Sequence, residues 1–187
     1  MWRLSDLLRG QLGTSDAMAA GAPADADFVL LDDAVEPAGL RASETGLLLN
    51  WRVGPSDTDI SSENFFAHAG IGGLRERLPL SPVHLRCQEN AGGAEISWIR
   101  RGRIDADDWG QSEIPLGEER EEYQIEIAAP GGSVVRTVLS QQQNWQYAAA
   151  DIAADFGGAP VEIDVTVRQF SAAAGFGLPA TRRFTLS

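Results

Sequence analysis

Apolar and polar residues along this chain change rhythm near Pro79. Past residue 80 they alternate. In residues 122–128 (EYQIEIA), Tyr123, Ile125 and Ile127 fall on one face and Gln124 and Glu126 on the other. Residues 161–167 set Val161, Ile163, Val165 and Val167 against Glu162, Asp164 and Thr166. A period of two marks a half-buried β-strand, because successive side chains point to opposite faces. Residues 83–87 alternate as well, residues 94–101 (AEISWIRR) place Ile96 and Trp98 together as core, and residues 134–139 and 182–186 extend the series. Turn formers fall at 90–93, 107–110, 130–132 and 157–160. Residues 148–156 (AAADIAADF) break the alternation and predict one short helix crossing between sheets. Six or seven short strands in roughly 107 residues predict an antiparallel β-sandwich.

The first 80 residues are less regular. Residues 3–9 (RLSDLLR) put Leu4, Leu7 and Leu8 at helical spacing with Gly10 as a stop, which predicts a helix. Residues 13–27 are small and polar and read as a loop, and residues 28–31 (FVLL) and 46–53 (GLLLNWRV) read as two short apolar strands. Residues 54–73 show no sustained period. A loop of that length inside a compact domain points to a functional segment or one ordered by a partner. The expected class is mainly β: a sandwich over 81–187, preceded over 1–80 by a smaller irregular α+β segment made of a short helix, two strands and a long loop.

Composition narrows the chemistry. The 187 residues carry a formal net charge of −12, and all 15 basic residues are Arg. Without Lys there is no Walker-type phosphate loop, Schiff-base chemistry or lysine base. The first 80 residues hold 12 acids and 6 Arg and the rest 15 acids and 9 Arg, so both parts stand at −6. Neither is a basic arm, which argues against a nucleic-acid partner. Apolar runs fall far short of the roughly 20 residues that span a bilayer, and Asp6 and Arg9 interrupt the place of a secretory signal. No membrane insertion is expected. The lone Cys87 cannot form an internal disulfide.

Candidate reactive groups are few. His68, His84 and Cys87 are too few to close a zinc site without carboxylates. His84 and Cys87, three apart on a strand, face opposite sides. Residues 105–110 (DADDWG) miss a calcium loop, since the fifth and twelfth positions are Trp109 and Leu116. The run 118–122 (EEREE) reads as a solvated loop, because adjacent carboxylates do not converge across a cleft. Ser56, Thr58, Ser61 and Ser62 lie near His68, yet no G-x-S-x-G turn is present. We therefore expect no catalytic residue, cofactor or metal. Phe65 and Phe66, in a Gly- and Ser-rich stretch, either anchor a partner or fold under their own loop.

The second part resembles a fibronectin type III domain in its Pro82-Val83-His84-Leu85 opening, Ile96-Ser97-Trp98, Tyr123-Gln124-Ile125-Glu126-Ile127, and the ending Val165-Thr166-Val167-Arg168-Gln169-Phe170-Ser171 through Gly175-Phe176-Gly177-Leu178-Pro179. The last stretch would supply strand F, the F–G loop and the start of strand G. A narrower likeness covers nearly the whole chain. Trp2-Arg3-Leu4 with Leu7-Leu8-Arg9-Gly10-Gln11-Leu12-Gly13-Thr14 resembles a segment of the host-specificity tail-hub ("megatron"-like) proteins of siphophages and gene transfer agents. Pro79-Leu80-Ser81-Pro82-Val83-His84-Leu85, Trp98-Ile99-Arg100-Arg101, Pro115-Leu116-Gly117-Glu118 and Tyr123 resemble the C-terminal part of the same family.

That resemblance implies a structural virion protein of the distal tail, made in the host cytoplasm, in the baseplate or tail-tip hub, with a part in tail assembly and host-surface attachment. The implied partners are other tail-tip or hub proteins, in a homo- or hetero-oligomeric assembly, and a host-surface receptor or glycan. Family members are far longer, so the chain is expected to be a split gene product or a fragment. Residues 1–80 would complete their fold against another tail-tip protein, with Trp2, Leu4, Leu7, Leu8, Phe65 and Phe66 as docking candidates. The alternative expectation is a carbohydrate-binding accessory module of a glycan-degrading system. It requires a row of exposed aromatics, for which Trp109 and Trp145 are the candidates.

Overall fold

A computed structural model describes residues 5–10, 14–19, 21–33, 35, 38–105, 110, 113–158 and 160–186. The chain is mainly β, with antiparallel sheets, and its contacts divide it into two compact units, Met1–Arg77 and Leu78–Ser187.

In the first unit the ordered elements are a one-turn helix α1 (Ser15–Ala19) and a two-stranded antiparallel sheet, β1 (Leu48–Val53) with β2 (Phe66–Ile71). Single 3-10 turns lie at Ala42–Glu44 and Arg75–Arg77. Four expectations are corrected here. Residues 5–9 are irregular chain, not helix. Asp6 sits at φ 56°, in the left-handed region, which interrupts a right-handed helix, and a seven-residue helix gains too few backbone bonds to offset its nucleation. Residues 28–31 have the composition of a strand but no neighbouring strand among the described residues; they run as irregular chain, 65–81% exposed. Finally, the stretch read as one loop over 54–73 ends in β2. Its sequence FAHAGI neither alternates nor favours a strand, so only pairing with β1 makes it one. The stretch 13–27, read as loop, also carries α1.

The second unit packs two sheets face to face. It contains β3 (Val83–Asn90), β4 (Gly93–Ile99), β5 (Tyr123–Ala128), β6 (Val134–Ser140), β7 (Asn144–Ala148), helix α2 (Ala149–Phe156), β8 (Glu162–Ser171), β9 (Gly175–Phe176) and β10 (Ala180–Thr185). One sheet has the order β3-β4-β7. The other has the order β10-β8-β5-β6, with the short β9 beside β8. The alternation behaves as expected. Ala94, Ile96 and Trp98 of β4, Tyr123, Ile125 and Ile127 of β5, and Ile163, Val165 and Val167 of β8 all face inward and are buried. Each buried Ile or Val side chain among them contributes about 1.5–3 kcal/mol of burial. Val161, assigned inward by its period, precedes the first residue of β8 and is 73% exposed.

Strand β7 escaped sequence reading, although Trp145 and Tyr147 alternate in it, because residues 141–143 are a Gln run and the predicted helix began next door. Two contacts close the sandwich where the chain enters it. Leu178 N donates to the Pro79 carbonyl at 3.1 Å, and a Cβ on Gly177 would stand 2.4 Å from that same oxygen. The last strand is tied to β3 by Arg182, whose Nη1 donates to the Leu85 carbonyl at 3.0 Å.

Candidate docking surface

Among its described residues the first unit has no buried side chain. Its hairpin is a surface on both faces. Register places Leu49, Trp51 and Val53 opposite Gly70, His68 and Phe66 on one face, and Leu48 opposite Ile71 on the other. On the first face the segment Ala38–Leu40 stands beside the strands and leaves an apolar groove of about 460 Å³, lined by Ala38, Leu40, Trp51, Val53, Phe66 and His68 among others. Phe66 is 64% exposed, and Val53, Leu48 and Ile71 are exposed as well. A two-stranded hairpin is marginal in water without something against its apolar face.

The loop between the strands is ordered by its own polar groups. Asp59 Oδ1 accepts from Ser61 N (2.8 Å) and Ser61 Oγ (2.5 Å), which holds its carboxyl below the usual range. Asn64 N donates to Ser62 Oγ (3.3 Å), and Arg52 Nη1 donates to the Ile60 carbonyl (2.9 Å). Here the paired phenylalanines part. Phe65 lies on its own loop, so close that a Cβ on Gly54 would meet its ring at 2.5 Å. Phe66 faces the groove. Leu7 and Leu8 are exposed, Leu8 at 86%, while Trp2 and Leu4 lie outside the described residues. Sequence reasoning missed Trp51 and Val53, because a surface built across two strands has no signature in either one.

The remaining candidates sit on the second unit, apart from His68 and the loop hydroxyls. His68 stands opposite Trp51 in the hairpin, and the Ser61 hydroxyl is engaged by Asp59. His84 is exposed at a register shift in β3, with φ 54°. Cys87 packs against the core, and burial pushes its thiol up. The acidic run 118–122 departs from a solvated loop. Glu118 pairs with Arg103 at 2.5 Å, Glu121 accepts the Tyr123 hydroxyl at 2.7 Å, and Glu122 pairs with Arg120 at 3.0 Å. Adjacent carboxylates therefore point to three different partners and pin the β4–β5 connection. Trp145 is half-buried, stacked on Tyr147 with ring centroids 5.0 Å apart, and residues 106–109, Trp109 included, lie outside the described residues. No helix among the described residues is long and apolar enough to cross a membrane. The hairpin groove is an exposed apolar surface among the described residues, and comparison with protein-family models and with curated proteins returns no match.

Proposed function

We propose that this chain is a non-enzymatic structural protein of the distal tail of a siphophage-like particle, in which the first unit docks into the tail-tip hub and the sandwich serves host-surface attachment. The observation that carries the reading is the contrast between the units. The sandwich buries a full core, whereas the described part of the first unit buries nothing and exposes an apolar hairpin. A unit of that kind gains its stability from what it docks against. The tail-hub resemblance of Trp2 to Thr14 and of Pro79 to Leu85 supplies the setting.

A fibronectin type III identity for the sandwich belongs to the same proposal. It is supported by the three-stranded sheet facing the row β10-β8-β5-β6 of the five-stranded one, and by β8, β9 and β10 falling where strand F, the F–G loop and strand G are expected.

The test is hydrogen exchange and light scattering on the chain alone and beside its neighbouring gene products. The expected result is slow exchange in the sandwich throughout, and protection of residues 46–53 and 66–71 only when a tail-tip protein is present. Phe66→Ser should abolish that protection. Phe65→Ser should act less, because its ring lies on Gly54. Protection of the first unit without any partner, unchanged by Phe66→Ser, would overturn the reading.

A further inference from the structure

We draw no further inference here: the strongest candidate, the apolar cavity of about 430 Å³ beside helix α2 in the second unit, lined by Ala94, Ile152, Val161 and Leu186 among others, carries none because nothing in the structure shows what fills it.

Discussion

Gly93 shows how a single missing Cβ fixes a turn. It opens β4 at φ 130°, and a Cβ there would stand 2.1 Å from the Tyr147 carbonyl oxygen of the neighbouring strand. No side-chain motion relieves a clash with backbone. Gly93→Ala should therefore cost about 3 kcal/mol, read by urea denaturation, whereas Gly158→Ala, with open space around it, should change little. Asp164 is the second case. Arg183 donates to it through Nε (2.7 Å) and Nη2 (3.0 Å), and Gly131 N donates at 3.0 Å, so its carboxyl falls from the ordinary 3.8 to about 2. Asp155 is lowered in the same direction, chiefly by Arg136. A carboxyl whose folded value lies below its unfolded one stabilises the fold above the unfolded value and loses that contribution as pH falls through the folded one. Melting temperature should hold down to about pH 4 and then drop toward pH 2, less steeply in Asp164→Asn.

At the scale of elements, α2 has eight residues and would not persist alone. Three groups hold it to the sandwich. Arg136 of β6 reaches Asp155 at 2.5 and 3.1 Å and Asp151 at 3.0 Å, and the Tyr147 hydroxyl donates to Asp155 at 2.5 Å. Ile152 is buried beneath the helix, and Gly157 ends it in the left-handed conformation at φ 71°. Tyr147→Phe deletes one charge-assisted bond and should cost about 1–2 kcal/mol. Arg136→Met should cost more, because it leaves Asp155 without its cation, and exchange at residues 149–156 should quicken before that of β8. The hairpin β1–β2 lacks any such clamp among the described residues.

For the molecule as a whole, stability resides in the second unit. Thermal unfolding followed by tryptophan emission should be governed by Trp98, which is buried and lies edge-on to Tyr123 with ring centroids 5.1 Å apart. Phe66→Ser, on an exposed surface, should leave that transition within about 0.5 kcal/mol of the parent chain. A larger loss would show that the hairpin contributes to the sandwich's stability.

Legibility followed the period of the chain. The strands β3, β4, β5, β6, β8 and β10 and helix α2 could be read from residues such as Tyr123, Ile125 and Ile127, because a buried face imposes alternation on its own strand, and alternation is local information. The acidic run was misjudged because side-chain pairing leaves no period to read: Glu118 is held by Arg103 across the connection, and Glu121 and Glu122 by their near neighbours Tyr123 and Arg120. In the first unit the local signal misled. FVLL has the composition of a strand without a neighbour, and FAHAGI becomes a strand only through β1. The sequence by itself thus determined a mainly β chain with a core-forming second part. Tertiary structure alone decided which strands pair, which of Phe65 and Phe66 faces outward, and that Trp51, Val53 and Phe66 share a groove, because strand pairing and surface assembly depend on residues distant in the chain.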